Sequence, residues 1–296
     1  MPELPEVETI RRQLAPVVEG RELCELRVLD PRWCDPAAPS EVADAVRGRA
    51  AEALSRRGKY LDLELEGEVH LVMHLRMTGN LLYRAEPGEE RPHTRAVLSL
   101  GDGGELAFCD VRRFGTGIVL LGDAARDGYF AERLGVEPLG PGFTAEALRA
   151  QAEGRTAPVK AFLLSQKRIA GVGNIYADEA LFRARIHPLR PVGALNADQI
   201  AALRDAVVAS LEAGIDARGA TIDDFRHSDG AKGSFQDRFL VHRREGEPCP
   251  ECGTAIAKLR AAGRGTYVCP SCQPPPRLKR RAGPPARRPG RPRAAP

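Results

Sequence analysis

Two similar cysteine pairs near the end of the chain restrict its fold more than any other sequence feature. Cys249-Pro-Glu-Cys252 and Cys269-Pro-Ser-Cys272 are separated by sixteen residues, a spacing typical of a structural zinc site with four cysteine ligands. The segment between them predicts a β-hairpin over 255–259 and 266–268. The alternative is a redox dithiol, but such a centre uses one pair beside a βαβ unit and does not explain two. We therefore expect a zinc ribbon whose closed metal shell folds the chain and does not catalyse.

The hydrophobic periodicity changes near the middle of the chain. A helix is predicted from about residue 5 to residue 18, and residues 21–121 alternate with the two-residue period of half-buried strands, most clearly over Tyr60–Leu65. After a segment rich in Gly and Pro the period becomes helical, over 145–152, 159–164, 175–182 and 196–211, with Asn196 as an N-cap. The expected fold class is α+β, with an N-terminal antiparallel β-sandwich that carries an N-terminal helix, then a helical domain and the zinc ribbon.

The expected domains are a catalytic β-sandwich over 1–134, a linker over 135–150, a helical domain over 151–235, the zinc ribbon over 236–273 and a tail over 274–296. The tail contains no acidic residue and eight cations, namely Arg277, Lys279, Arg280, Arg281, Arg287, Arg288, Arg291 and Arg293. It is rich in proline, and this composition predicts disorder. Because the whole chain has a net charge of +4, the body without these eight cations carries −4. A nucleic-acid surface on the body must therefore be a local patch.

The size and composition of the chain favour a cytoplasmic protein. Its 296 residues allow two ordinary domains and a small module. No apolar run approaches the about 18 residues of a membrane span, and the acidic start is not a signal peptide. The seven cysteines are an odd number, which argues against a disulfide framework, and Cys24, Cys34 and Cys109 are scattered.

The amino terminus carries the most reactive group that the sequence offers. It reads Met1-Pro-Glu-Leu-Pro-Glu-Val-Glu8, so removal of Met1 would leave Pro2 as a terminal secondary amine. Such an amine titrates near about pH 8, and its neutral fraction can attack an aldehyde-level carbon to give an iminium ion. The alternative is an ordinary helix start, with Pro5 in the first turn and acidic residues at the positive end of the helix dipole.

Three further segments contain candidate nucleic-acid contacts. Gly171-Val-Gly-Asn174 is a turn that leads into a helix, where exposed amides can bind a phosphate oxygen and Asn174 can also serve only as a cap. Met77 and Arg112-Arg-Phe114 lie on turns between predicted strands, although methionine and phenylalanine at such positions are more often core residues. Arg264 lies at the tip of the predicted hairpin, where arginine can contact a phosphate.

Together these motifs resemble the bacterial formamidopyrimidine-DNA glycosylase family. The resemblance rests on the amino-terminal motif, Asp110-Val-Arg-Arg-Phe-Gly115, Gly171-Val-Gly-Asn-Ile-Tyr176 and the four-cysteine ribbon, and it extends to about residue 273. It implies a helix-two-turn-helix DNA-binding domain. It also implies a monomeric enzyme of base excision repair that acts on double-stranded DNA. That enzyme would remove 8-oxoguanine and formamidopyrimidines and cut the abasic site by β- and δ-elimination. One structural Zn²⁺ is the implied metal, and the chemistry requires no other cofactor.

The resemblance also assigns roles to single residues. Pro2 is the implied nucleophile, Glu3 the acid–base residue that helps to open the sugar ring, and Glu6 a second carboxylate that supports the helix start. Lys59 completes this set by holding a phosphate beside the lesion. His74, Asn174 and Arg264 match phosphate contacts, which agrees with their capacity to donate hydrogen bonds. The implied wedge, which fills the space left by the extracted base and faces the orphaned cytosine, consists of Met77, Arg112 and Phe114.

A loop in the second half corresponds to the family's cap over the extracted purine. The predicted loop contacts are Ser228, Gly230, Lys232, Gly233, Ser234 and Phe235. Ser234 stands where an aromatic residue is common, Arg76 replaces a small residue beside the wedge, and His242-Arg243 departs from a usual Tyr-Gly. These departures leave the catalytic set intact and leave the lesion preference open.

Two other functions remain as alternatives. An enzyme of the endonuclease VIII type shares Pro2, Glu3, the fold and the ribbon but prefers oxidised pyrimidines. Leu4-Pro5, the Arg-Arg-Phe wedge and the long loop favour the purine enzyme. A catalytically silent zinc-ribbon DNA-binding protein is the second alternative, and a terminal secondary amine argues against it because binding alone does not require one.

Overall fold

A computed structural model describes residues 1–222 and 225–276 of the chain. The predicted tail over 274–296 therefore lies outside the described residues from residue 277 onward. The first element is helix α1 (Leu4–Val18), which confirms the predicted N-terminal helix. It begins at Leu4 because Pro5 suits the first turn and the side chain of Glu6 accepts a hydrogen bond from the amide of Glu3 at 2.8 Å.

Eight antiparallel strands follow within residues 21–121, as the alternating pattern predicts. They are β1 (Glu22–Val28), β2 (Arg49–Arg57), β3 (Tyr60–Leu65), β4 (Val69–His74), β5 (Gly79–Arg84), β6 (Thr94–Leu100), β7 (Glu105–Asp110) and β8 (Thr116–Leu121). Their order in the hydrogen-bonded sheet is β5-β7-β6-β1-β2-β3-β4-β8. Only two residue pairs join β1 to β2, and the sheet folds there into the two layers of a sandwich.

The two layers share one hydrophobic core with α1. Leu26 and Phe108 from one layer, Leu63 and Leu71 from the other, and Ile10 of α1 are all buried in it. The expectation of a half-buried strand is wrong for β3, because five of its six residues are buried. Asp62 can occupy such a position because its carboxylate lies 3.2 Å from Nδ1 of the buried His70, and buried charge requires a partner.

The helical period of the second half is also confirmed. Its helices are α4 (Ala145–Ala152), α5 (Val159–Leu164), α6 (Asn174–Arg183) and α7 (Ala197–Asp216). Asn196 caps α7, with its side chain accepting from the amide of Gln199 at 2.8 Å. Two further helices, α2 (Pro39–Val46) and α3 (Asp123–Arg133), were not predicted from the sequence. The spacing of the buried Val42 and Val46 in α2 is a helical signal that could have been recognised.

These helices enclose a second core that reaches beyond the expected domain boundary. Phe143 and Leu148, which the sequence analysis places in the 135–150 linker, are buried in it. Leu4 of α1 belongs to the same core, although the rest of α1 packs on the sandwich. Helix α1 therefore touches both cores, and its N-terminus lies between them.

The third unit is the predicted ribbon. Strands β9 (Ala257–Ala261) and β10 (Arg264–Val268) pair in antiparallel register, and Arg264 faces Ala261 at the hairpin end. The ribbon packs through Cys249, Ile256 and Cys269 against Phe182 of α6. None of the helices in the described ranges is long and apolar enough to cross a membrane.

Candidate active site and nucleic-acid interface

A cavity of about 200 Å³ lies at the N-terminus of α1, between the two cores. It brings together three of the residues that the sequence analysis selected, Pro2, Met77 and Arg112. The remaining lining residues are Met1, Thr78, Gly79, Ile175, Ala220, Ile222 and Phe225. A neighbouring cleft contains Glu3, Asn174 and Arg264. The predicted nucleophile, acid–base residue and phosphate contacts are thus adjacent in space although they are far apart in sequence.

The carboxylate of Glu3 lies on the N-terminus of α6. Its two oxygens accept from the amides of Ile175 at 3.1 Å and Tyr176 at 3.5 Å. These are helix N-terminal amides of the kind predicted to bind an anion, and Glu3 is the anion of this chain that two of them bind. The phosphate contact predicted for this turn stays a prediction. The amide of Leu4 also donates to the carbonyl of Gly171 at 3.1 Å, which fixes the start of α1 against the same turn.

Glu6 is buried among hydrogen-bond donors. It accepts from the Tyr176 hydroxyl at 2.7 Å, the Ala220 amide at 2.7 Å and the Glu3 amide at 2.8 Å. Burial raises the pKa of Glu6, and the negative charge of Glu3 raises it further, whereas the three hydrogen bonds lower it. Glu6 thus connects the helix start that carries Pro2 to α6 and to the segment after α7.

Lys59 is the only buried cation among the predicted site residues in the described chain. It follows Gly58 in the turn between β2 and β3, and its nearest charges include Glu3 and Glu6. Burial lowers the pKa of Lys59; the charge of Glu3 opposes this effect and that of Arg264 adds to it. A lysine ammonium in this position can neutralise an anion that enters the cavity.

His74 is buried at the end of β4, where its ring is neutral at pH 7. Burial lowers its pKa to about 3, and the positive charges of Arg76 and Lys59 act in the same direction. The amide of Arg76 donates to Nδ1 at 2.8 Å. The proton of the neutral ring is therefore on Nε2, which can donate to a phosphate oxygen.

The predicted wedge residues lie on two exposed turns, as expected. Met77 follows β4, and Arg112 and Phe114 lie between β7 and β8. The Arg112 guanidinium stands 5.0 Å from the centre of the Phe114 ring, and Phe114 is 52% exposed. The buried Asp110, which belongs to a recognised motif but was given no role from the sequence, accepts from the amides of Phe114 at 2.8 Å and Gly115 at 2.7 Å. The same carboxylate also binds the Thr78 hydroxyl, so it joins the two turns.

Asn174 and Arg264 meet where α6 approaches the ribbon. The N-cap of α6 is Gly173, so the alternative role of Asn174 as the helix cap is wrong. The Asn174 amide group instead donates to the carbonyl of Gly265 at 3.1 Å, beside Arg264. Its own Oδ1 is buried without a hydrogen-bond partner among the described residues, which leaves a free acceptor at this edge of the cleft.

A buried ionic network beneath these contacts was not predicted. Nζ of Lys160 lies 2.6 Å from Asp178 and donates to the Thr266 hydroxyl at 2.7 Å, and the second oxygen of Asp178 lies 2.9 Å from Nδ1 of His242. Lys160 and Asp178 are both essentially inaccessible. The network fixes the hairpin that carries Arg264 against α5 and α6. A lysine beside Val159 and Phe162 in a short apolar helix is a signal that could have indicated a buried partner.

The predicted loop contacts line a segment that crosses between the two halves. Ser228, Gly233 and Phe235 are buried, whereas Gly230, Lys232 and Ser234 are exposed. The Phe235 ring stacks on Tyr176, with ring centres 5.2 Å apart, so it belongs to the second core and does not face the cavity.

The four cysteines of the ribbon fit a zinc ion. All four sulfur atoms lie within 4.8 Å of one another, with 3.9 Å between Cys249 and Cys272 and 3.4 Å between Cys252 and Cys269. A tetrahedral ion with Zn–S bonds of about 2.3 Å separates its ligands by about 3.8 Å. The cluster therefore holds one structural zinc, with no open position for a reactant.

Comparison with known proteins identifies this arrangement. Sequence models match the "Formamidopyrimidine-DNA glycosylase N-terminal domain" over residues 1–117 and the "Formamidopyrimidine-DNA glycosylase H2TH domain" over 134–226. A third model, the "Zinc finger found in FPG and IleRS", matches residues 246–275. A sandwich, a helical domain and a zinc finger around one site define the chain as a DNA glycosylase. It belongs to the formamidopyrimidine-DNA glycosylase family.

Individual relatives cover nearly all of the described chain. The formamidopyrimidine-DNA glycosylase of Chloroflexus aggregans is 45% identical over 281 residues, covering 92% of this chain and 98% of that protein. The crystal structure of the MutM (Fpg) protein from Thermus thermophilus has a TM-score of 0.82 and 43% identity, with 92% and 98% covered. A Lactococcus lactis Fpg in complex with DNA containing an abasic site has a TM-score of 0.85 and 33% identity, with 92% and 99% covered.

Proposed function

We propose that this enzyme removes oxidised purines from double-stranded DNA and cuts the strand at the resulting abasic site, with Pro2 as the nucleophile. The observation that carries the proposal is the position of Pro2 in the cavity wall, one residue from a Glu3 carboxylate held on α6. Met1 lines the same cavity, and its removal would free the Pro2 amine at this place.

The proposed reaction follows from the chemistry of a secondary amine. The lone pair on the Pro2 nitrogen attacks C1′ of the damaged nucleotide, and the bond from C1′ to the base breaks as the base leaves. Opening of the sugar ring gives an iminium ion, which acidifies the neighbouring carbon. Successive β- and δ-elimination then break the bonds to the two flanking phosphates.

The surrounding carboxylates and Lys59 have separate proposed roles. Glu3, which follows Pro2 in the chain, donates a proton to the ring oxygen when the sugar opens. Glu6 positions the helix start through its bonds to Glu3 and Tyr176. Lys59 neutralises the phosphate next to the damaged nucleotide, and the charge of Glu3 in turn favours its ammonium form.

We propose that DNA lies along the cleft between the sandwich and the ribbon. His74 would donate through Nε2, Asn174 through its amide group and Arg264 through its guanidinium to the phosphates. Met77, Arg112 and Phe114 would enter the duplex where the damaged base leaves it. Their exposure on two turns joined by Asp110 supports this role.

We further propose that the enzyme acts as a monomer in the bacterial cytoplasm, close to the DNA. The four zinc thiolates favour a reducing compartment.

The second core also bears on the domain boundaries. Because this core includes Phe143, we propose that the linker ends near residue 142, before the expected residue 150.

Borohydride trapping tests the nucleophile directly. Wild-type protein with a verified Pro2 terminus should form a covalent complex with a duplex that contains 8-oxoguanine, and Pro2→Gly should trap at least about tenfold less. Pro5→Ala is the matched control, since Pro5 is in the first turn of the same helix but has no free amine. Wild-type protein that binds the duplex and gives no adduct would disprove the amine mechanism.

A cleavage panel tests the substrate. Duplexes with 8-oxoguanine, formamidopyrimidine or an oxidised pyrimidine are placed opposite each normal base, and excision is measured under single-turnover conditions. The proposal requires the two purine lesions to be excised faster than the pyrimidine. The reverse order would identify an enzyme of the endonuclease VIII type.

A further inference from the structure

Residues 225–235, here called the strap, connect the two halves of the molecule across the cavity. The first part of the strap docks on the sandwich. Phe225 is buried in the first core, the Arg226 amide donates to Oδ1 of Asn80 at 2.7 Å, and the Tyr83 amide donates to the carbonyl of Ser228 at 2.8 Å. This part of the strap is therefore attached mainly to the sandwich although it follows the helical domain in sequence. His227 also reaches the helical half, with Nε2 at 2.7 Å from the Arg218 carbonyl oxygen.

Gln13 of α1 completes this attachment. Its Oε1 accepts from the Ser228 amide at 3.1 Å and from the Ser228 hydroxyl at 3.0 Å. Its amide nitrogen lies 3.5 Å from Asp229, a much weaker contact. Helix α1, which begins beside Pro2, thus holds the strap through a single oxygen atom, Oε1 of Gln13.

The last part of the strap docks on the helical half. The Gly233 amide donates to the Thr221 hydroxyl at 2.9 Å, and the amides of Ser234 and Phe235 donate to the carbonyls of Ala217 and Gly219, both at 3.0 Å. A Cβ at Gly233 would lie 2.2 Å from the Gly219 carbonyl oxygen, so the two backbones are in direct contact. The exposed residues 229–232 are the only part of the strap between these two attachments.

The first attachment also shapes the cavity. Phe225 and Gly79 line the cavity. Phe225 directly precedes Arg226 and Gly79 directly precedes Asn80, and these two following residues are joined by the hydrogen bond described above. Movement of residues 226–228 would therefore move the part of the cavity wall that Phe225 and Gly79 form. A base that enters the cavity would be positioned by contact with this wall. An abasic sugar carries no base and therefore does not depend on that contact.

We propose that Gln13 is a positioning residue for base selection, which holds the strap so that Phe225 forms a fixed wall of the base-binding cavity. The proposal rests on the proposed function of this cavity in binding a damaged base. Gln13 is not among the residues that line the cavity, and it acts through Ser228. It affects base excision and leaves cleavage of a pre-formed abasic site unchanged.

The test compares two substrates in single-turnover reactions at saturating enzyme. Gln13→Ala loses the two hydrogen bonds to Ser228, so excision of 8-oxoguanine should fall about tenfold or more, while cleavage of an abasic site changes less than about twofold. Gln13→Glu keeps the accepting oxygen and should stay within about threefold of wild type. Gln151→Ala, on α4 away from the cavity, is the matched control. An equal fall on both substrates would overturn the proposal, because it would indicate a general structural or catalytic effect.

Hydrogen exchange on the free protein tests the attachment without any substrate. In Gln13→Ala the Ser228 amide should exchange at least about tenfold faster than in wild type, with the α6 and α7 amides unchanged. Unchanged exchange at Ser228 would overturn the role of Gln13. A wild-type protein that excises no 8-oxoguanine would instead contradict the proposed function, and the exchange result would still decide the attachment.

Discussion

A Cβ built on Gly173 would lie 2.2 Å from the carboxyl carbon of Glu3. Glu3 and the N-terminus of α6 can therefore meet only because residue 173 has no side chain. Gly173→Ala should displace Glu3 from the amides of Ile175 and Tyr176 and lower base excision by about a hundredfold, the usual range for loss of a positioned acid–base group. Single-turnover excision of 8-oxoguanine measures the effect.

Gly128→Ala is the control for this substitution. Gly128 lies within α3, and nothing is found within 4 Å of its Cβ position. This variant should fold with equal or slightly higher stability and keep full activity. Wild-type activity in Gly173→Ala would show that the approach of Glu3 to α6 is not required.

The buried His74 should make stability depend on pH. Its pKa of about 3 in the folded protein lies below the value of about 6.5 in an unfolded chain. The unfolded state therefore binds the extra proton below about pH 6.5, and stability falls as the pH drops from there towards 3. Glutamine does not titrate, so His74→Gln removes this effect. Between pH 7 and pH 5 the free energy of unfolding of the variant should fall by about 2 kcal/mol less than that of the wild type.

Urea unfolding at several pH values measures this difference. His93→Gln, at an exposed histidine, serves as the control and should follow the wild-type pH profile. A His74→Gln profile parallel to that of wild type would show that His74 titrates near its unfolded value, contrary to the neutral donor described above.

Arg112→Ala should change the choice of the base opposite the lesion. The guanidinium beside Phe114 offers donors that suit the acceptors of an unpaired cytosine, so preference for cytosine should fall about tenfold. Arg113→Ala is a matched control. Arg113 lies on the same turn as Arg112, but its guanidinium is held by Asp30 at 2.6 Å. If Arg112→Ala reduces excision equally opposite all four bases, its role is structural.

Cys269→Ser should remove the zinc and unfold the ribbon. We expect about one zinc per chain in the wild type and a large loss in the variant, since three thiolates bind more weakly than four. Arg264 would then lose its position beside Asn174, and DNA affinity should fall while the sandwich stays folded. Metal analysis and DNA titration measure this, with Cys24→Ser, at an exposed cysteine, as the control. Unchanged DNA affinity in zinc-free protein would contradict the role of the ribbon.

Much of the fold could be predicted because it depends on local patterns. The two-residue period gave strand β3 with its observed ends, and Asn196 was correctly expected to cap α7. The burial of both faces of β3 was not predictable, because the partner of Asp62 is His70 on the neighbouring strand. Helix α2 was missed inside a region whose dominant pattern was that of strands, and α3 was missed directly after that region.

The candidate site could also be predicted only in part from the sequence. Motifs near the amino terminus and in the wedge turns predicted Pro2, Met77 and Arg112, and the structure places all three in one cavity wall. Asp110, Lys160 and Asp178 were missed, because a charged residue shows its partner only after folding. The turn before α6 was recognised as an anion site, but the sequence did not indicate that a carboxylate of the same chain, Glu3, binds there.

The sequence by itself determined most of the succession of strands and helices, the zinc ligands and the choice of Pro2 as the candidate nucleophile, because residue spacing and the chemistry of individual groups indicate them. Only the tertiary structure decided which groups meet. Glu3 reaches α6 across more than 170 residues of chain, and Gln13 reaches Ser228 across 215. Such contacts depend on how two cores pack around α1, and packing is a property of the whole fold that no local pattern encodes.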